Sequence, residues 1–247
     1  SVGILAALVA RATHGVGLET ARSASRHGAR VILAVRDTAR GREVAAQLPG
    51  ETRVVALDLS SLASVRRAST QLVDDDEGID VLVNNAGTIT PTRRETEDGA
   101  EMLLGVNLLG PFLFTNLVLP LVRRRVVIVG SNSHQGASFD FRDPHLRAGR
   151  WDPATAYSRS KLGDMLWGLA LDARLRDGRS RAGAPGVDVQ LTHPGWAATN
   201  ISNATNNAVL NRVITGVCSV FAQPAAQAAL TTMFAATRPL PPCSYTG

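Results

Sequence analysis

With 247 residues, 45% hydrophobic and 19% charged, the chain has the length and apolar content of one large α/β domain and excludes a disordered one. Its 22 Gly and 12 Pro are too few and too scattered for a fibrous or low-complexity protein. A net charge of +5 and a pI near 10.2 raise nucleic acid as a partner, but the arginines are spread along the chain and aromatics reach only 4%, so a solvated arginine surface and no nucleic acid are expected.

Short apolar runs bounded by Gly, Asp or Asn alternate with segments of helical period along the whole chain. Ile4–Ala10 reads as a buried strand, Leu18–His27 as a helix, and Arg30–Val35 as the second strand. A helix at Gly41–Leu48, a strand at Arg53–Leu57, a helix at Leu62–Val73 and a strand at Asp80–Val83 follow. The second half gives helices at Ala100–Val122 and Ala154–Arg176, strands at Arg125–Val129 and Val187–Thr192, a helix at Ala225–Ala236 after Pro224, and a last strand at Ser244–Tyr245. Strands separated by helices need right-handed crossovers and a parallel sheet covered on both faces. The expectation is a single doubly wound domain over 1–247, α/β, with a mostly parallel sheet of six to seven strands.

The Asn- and Thr-rich stretch Gly195–Arg212 breaks this rhythm after the sixth strand, where a doubly wound sheet binds its ligand. It is a candidate substrate lid, with an ordinary surface loop as the competing reading. Two cysteines, Cys218 and Cys243, make no disulfide framework. Val2–Ala10 lacks a basic flank and is too short for a signal peptide or a membrane span. A cytoplasmic protein with no membrane partner is the expectation.

Three junctions carry chemistry. After the first strand, Thr13-His14-Gly15-Val16-Gly17 is a glycine turn opening a helix, a place for a pyrophosphate to meet backbone N–H groups. After the second strand, Val35 stands where an acid would bind a ribose 2′-hydroxyl, and Arg36 follows it. Arginine there suits a 2′-phosphate, with His14 able to assist, so NADP(H) is expected over NAD(H). The third is Tyr157-Ser158-Arg159-Ser160-Lys161. Residues four apart share a helix face, and a nearby ammonium stabilises a phenolate, which suits a general acid/base. Lys161 is the single lysine among 26 basic residues, so its place four residues beyond Tyr157 is informative.

With Asp58-Leu59, Asn84-Asn85-Ala86-Gly87, Asn107, Ser131 and His193-Pro194-Gly195 with Thr199, these motifs resemble the short-chain dehydrogenases/reductases over essentially the whole chain. Within them the chain is most similar to bacterial members of the subgroup holding retinol dehydrogenases, the WW-domain oxidoreductase and protochlorophyllide reductase. The resemblance implies a Rossmann-type domain and an oxidoreductase that interconverts a carbonyl and an alcohol on a small to medium apolar substrate. It implies Tyr157 as acid/base, Lys161 as its neighbouring cation and ribose ligand, Ser131 orienting the substrate oxygen, and Asn107 holding a water of the proton relay. Cofactor contacts are implied at Arg11, Thr13, His14, Gly15, Val16, Gly17, Arg36, Asp58, Leu59, Asn85, Ala86, Gly87, Pro194, Gly195 and Thr199. Asn84 is read as a tie between neighbouring strands, and Ser133 as a rival to Ser131. Relatives often pair through their two long helices, implying a homodimer or homotetramer, and usually run on beyond the position of Gly247.

One position departs from the family pattern. Ala10-Arg11 stands where Thr-Gly belongs, and the missing glycine is the one that permits the tight turn. Either Arg11 swings out to help bind a 2′-phosphate, or it crowds the site and weakens the cofactor. The second outcome gives the alternative reading, a dinucleotide-binding protein with weak or no activity.

Overall fold

The computed structural model describes residues 6–177, 186–195 and 224–247. Seven strands form one parallel sheet in the order β3-β2-β1-β4-β5-β6-β7. They are β1 (Ala6–Ala10), β2 (Arg30–Val35), β3 (Thr52–Ala56), β4 (Ile79–Asn84), β5 (Val122–Val129), β6 (Asp188–Thr192) and β7 (Tyr245–Thr246). The helices are α1 (Gly15–Arg26), α2 (Thr38–Ala45), α3 (Leu62–Asp74), α4 (Met102–Leu104), α5 (Gly110–Val118), α6 (Pro153–Arg176) and α7 (Ala225–Thr237). The doubly wound reading therefore holds, and the short pairing Leu191–Tyr245 and Thr192–Thr246 adds the seventh strand.

Alternate strand residues feed two cores because a parallel sheet is covered on both faces. Leu8, Ile32, Leu82 and Ile128 pack on the side of α3, α5 and α6. Val9, Val31, Leu33, Val83 and Val127 pack on the other, with Ala21 and Ala24 of α1 and Met233 of α7. Side-chain caps fix where helices start. Asp37 accepts from Arg40 N at 2.9 Å, which starts α2 three residues earlier than periodicity alone indicates. Asp152 accepts from Thr155 N at 2.7 Å, and Pro153 occupies the first turn of α6.

Ala100–Val122, read as one helix, is interrupted. A π turn at Gly105–Leu109 separates α4 from α5, and a 3-10 turn at Leu119–Leu121 closes the segment. Pro111 has no N–H to give the ladder, and Gly105 and Gly110 flank the widened turn. By length and hydropathy Met102–Leu121 could cross a membrane, yet more than half of it is buried inside the domain as a core helix would be.

The amino ends of the strands are pinned by charge. Glu77 is 5% exposed and clamped between Arg30 and Arg53. Arg125 is buried and holds Asp188 through Nε at 2.5 Å and Nη2 at 2.7 Å, while its Nη1 donates to the carbonyls of Ala235 and Arg238. This corrects the reading of the arginines as solvated surface, at least for Arg125 in the triple-arginine run. Its place inside β5, between β4 and β6, puts the guanidinium under α7 rather than in water.

Candidate active site

The strand order reverses between β1 and β4, and ligands of such sheets bind in the crevice at the carboxyl ends of the strands there. The turn after β1 packs tightly against the loop after β4. A Cβ on Gly17 would lie 2.4 Å from Asn85 Nδ2 and 2.6 Å from the Arg11 carbonyl oxygen, so only glycine fits. The helix begins inside this turn, at Gly15, with His14 as its N-cap and Val16 buried. Thr13 Oγ1 meets His14 Nδ1 at 3.1 Å.

Arg11 adopts the left-handed conformation, φ 56°, that the family's glycine would take without strain. Its backbone N–H donates to Ala34 O at 2.9 Å, and its guanidinium reaches across the crevice to the carbonyl of Gly87. Burial and the like charge of Arg36 push the Arg11 guanidinium down from its ordinary value, against the pull of Asp58. Arg36 itself is exposed at the end of β2. Burial and then Arg11 also lower His14, so the adenosine end of the crevice is crowded with positive charge. Asp58 lies beside it, its Oδ1 accepting from Ser60 N at 2.9 Å and Ser60 Oγ at 2.7 Å, and Leu59 is buried.

At the other end, α6 presents Tyr157 and Lys161 on one face. Tyr157 is half-buried, and Lys161 is 2% exposed. Lys161 Nζ donates to Ala86 O at 3.0 Å, Val129 O at 3.0 Å and Asp164 Oδ2 at 2.9 Å. An ammonium has three protons, so all three are engaged. Burial would lower Lys161, but the charge of Asp164 and the nearby Tyr157 phenol outweigh it and hold the lysine above its ordinary value. Asp164 is buried too, and burial lifts its carboxyl to about 6 in spite of Lys161. Its second oxygen has no hydrogen-bond partner. The residue was missed in the sequence, where an acid three places after a lysine reads as a solvated helix pair.

Ser131 lies two residues beyond β5 and caps the 3-10 turn Asn132–His134, which packs against α6. Its Oγ lies 2.7 Å from Ser133 Oγ and accepts from Ser133 N at 3.3 Å, so the rival serine is its hydrogen-bond partner. Asn107 sits in the π turn. Its Oδ1 accepts from Thr88 N at 2.7 Å, and its Nδ2 donates to Thr88 O and Ser160 Oγ, both at 3.0 Å. Ser160 Oγ in turn donates to Tyr157 O at 2.7 Å, so the Asn107 amide braces the Gly87 loop against the Tyr157 turn of α6. Asn84 ties β4 to helix α5, not to a neighbouring strand, through Nδ2 to Thr115 Oγ1 at 2.8 Å.

Pro194 and Gly195 follow β6, with Gly195 N donating to His193 Nδ1 at 3.2 Å. Tyr245, read in the sequence only as part of the last strand, closes this side: its hydroxyl donates to Asn132 Oδ1 at 2.9 Å and its ring contacts His134 and His193. Thr199 and all of the proposed lid beyond Gly195 lie outside the described residues. Among the described residues no cluster of His, Cys, Asp or Glu could hold a metal ion.

The donor set fits a nicotinamide dinucleotide: cations at the adenosine end, a helix start in the middle, and a buried ammonium beside a phenol at the far end. One contact disagrees, because the Arg11–Gly87 bridge spans the switch point itself.

The short chain dehydrogenase family profile matches residues 5–143. The chain is 36% identical to retinol dehydrogenase 13 of Mus musculus over 80% of its own length and 60% of that protein. It is 41% identical to polyprenol dehydrogenase of the same organism over 77% of its length and 62% of the relative. Thus it spans about three fifths of these curated relatives. The crystal structure of an uncharacterized protein from Mycobacterium paratuberculosis superposes with a TM-score of 0.79 at 35% identity, covering 97% of this chain and 79% of the other.

Proposed function

Because the chain belongs to the short-chain dehydrogenase/reductase family, we propose that it is an NADP(H)-dependent oxidoreductase interconverting a carbonyl and an alcohol on an apolar molecule. The observation that carries this reading is Lys161, buried between the carbonyls of Ala86 and Val129 at the crest of the sheet, with the Tyr157 phenol as its electrostatic neighbour. Bound NADP(H) supplies the hydride. Tyr157 gives a proton to the carbonyl oxygen in reduction and takes it from the alcohol in oxidation. Lys161 favours the phenolate form and holds the ribose hydroxyls once it releases one of its present acceptors. Ser133 N donates to Ser131 Oγ, and when the Ser133 hydroxyl is the donor of the hydroxyl pair the Ser131 proton is free for the substrate oxygen, where charge develops. Asn107 keeps the loop after β4 and the Tyr157 turn in register.

Arg36 is assigned the 2′-phosphate. Arg11 and Arg36 are close enough to repel, and an anion between them relieves that repulsion. The relatives named for retinol and polyprenol favour an apolar isoprenoid-type alcohol or aldehyde as substrate. The test is nicotinamide absorbance with all-trans-retinal and decanal as carbonyls. NADPH should be used with at least about tenfold higher kcat/KM than NADH, the value of one charge-assisted phosphate contact. Equal use of both would overturn the cofactor assignment, and no consumption of either would overturn the activity.

The bridge from Arg11 to Gly87 O favours a second reading, a dinucleotide-binding protein of weak activity. Arg11→Gly removes both the bridge and the left-handed strain. Under this reading the variant binds NADPH several-fold more tightly in a fluorescence titration, and unchanged affinity contradicts it.

A further inference from the structure

Tyr157, Lys161 and Asp164 stand at positions i, i+4 and i+7 of α6, on one face of the helix. The lysine stands between the tyrosine and the aspartate along that face. The Lys161–Asp164 pair is 3% exposed on both sides, at 2.9 Å, and so is not a surface pair of small consequence. Among the described residues no other acid or base bonds the ammonium from the strands beneath: the loops after β4 and β5 offer it the backbone carbonyls of Ala86 and Val129. Arg11, from the turn after β1, is the remaining charge that acts on it. Asp164 offers one oxygen to Lys161, and the other, buried Oδ1, has no partner. A fully buried acid with one oxygen unpaired is costly, and the packing of α6 alone does not call for it.

We infer that Asp164 is a positioning residue of the Tyr157–Lys161 pair: it accepts one hydrogen bond from the ammonium and sets a negative charge against it, so that Tyr157 feels a lysine whose charge is partly offset. The inference rests on the acid/base role proposed for Tyr157. Its consequence is a setting of the pH at which the phenol gives up its proton. Removing the carboxylate charge while keeping the side-chain shape leaves Lys161, held on the carbonyls of Ala86 and Val129, acting alone on Tyr157 as long as it stays protonated, and the phenolate is then easier to form. At a separation of about 10 Å along the helix and an effective dielectric of about 20, the change is about one pH unit toward acid.

The sequence makes this measurable without any substrate, since Tyr157 and Tyr245 are the only tyrosines. In a Tyr245→Phe background, tyrosinate ultraviolet absorbance reports Tyr157 alone. Asp164→Asn in that background should move the titration midpoint down by about one unit, and Asp164→Glu, which keeps the charge, should return it. A midpoint that stays put or rises in Asp164→Asn overturns the inference. Should that variant not fold, Asp164→Ser carries the same prediction and the same refutation. Alcohol oxidation supplies the second readout, with the acid limb of kcat/KM moving the same way in Asp164→Asn. If Tyr157→Phe is inactive while the titration does not shift, the inference fails and the proposed activity stands. If the titration shifts while Tyr157→Phe keeps full turnover, the proposed chemistry fails instead.

Discussion

The two edges of the sheet handle positive charge in opposite ways. At the amino ends, guanidiniums are matched to carboxylates and carbonyls. Glu77 is held by two arginines, and Arg125 grips both Asp188 and the end of α7. At the carboxyl ends, Arg11 and Arg36 repel one another beside Asp58, while the one lysine of the chain, paired with Asp164 and two carbonyls, is buried beside a phenol. Charges satisfied within the protein contribute to the fold. Guanidiniums left in excess at a crevice attract an anion. The contrast is visible in single residues: Arg125 is buried among its partners, whereas Arg36 is exposed beside Arg11.

Substitutions at the two edges should therefore part cleanly. The largest effect belongs to Lys161→Ala, which should lower turnover at least about 100-fold in a steady-state assay. It leaves Asp164 without its cation, so thermal unfolding should also show a loss on the order of 1–3 kcal/mol. Next comes Arg125→Ala at the opposite edge. It should cost about 2–4 kcal/mol in denaturant unfolding, because Asp188 and two carbonyls lose their donor, with kcat unchanged per folded molecule. A fall in kcat equal to that of the lysine variant would erase the distinction between the edges. The smallest effect is that of Arg36→Ala, which should weaken NADPH binding roughly tenfold while leaving NADH binding and the unfolding midpoint as they were.

Much of this arrangement is legible in the residues themselves. Apolar runs such as Arg30–Val35 mark buried strands because a parallel sheet has no polar face, and that structure agrees at both ends of β2. The Tyr157/Lys161 spacing is legible because four residues return to the same helix face, and the buried lysine lies where that spacing requires. Other features depend on tertiary context. The π turn around Asn107 follows from hydrogen bonds that shift by one residue, which hydrophobic period does not record. Arg11 reads as a misplaced glycine, but only the approach of the loop after β4 gives its guanidinium the Gly87 carbonyl. Asp164 looks like any helix acid until the depth of α6 is known, and then it is the buried counter-charge of the site.

The central claim is that Tyr157 moves the proton at the crevice that the lone lysine marks. Its most direct test is turnover of Tyr157→Phe with saturating NADPH and all-trans-retinal, set beside NADPH affinity and thermal stability of the same protein. The account predicts a loss of at least about 100-fold in kcat with affinity and stability close to wild type. Turnover within a few-fold of wild type would contradict it.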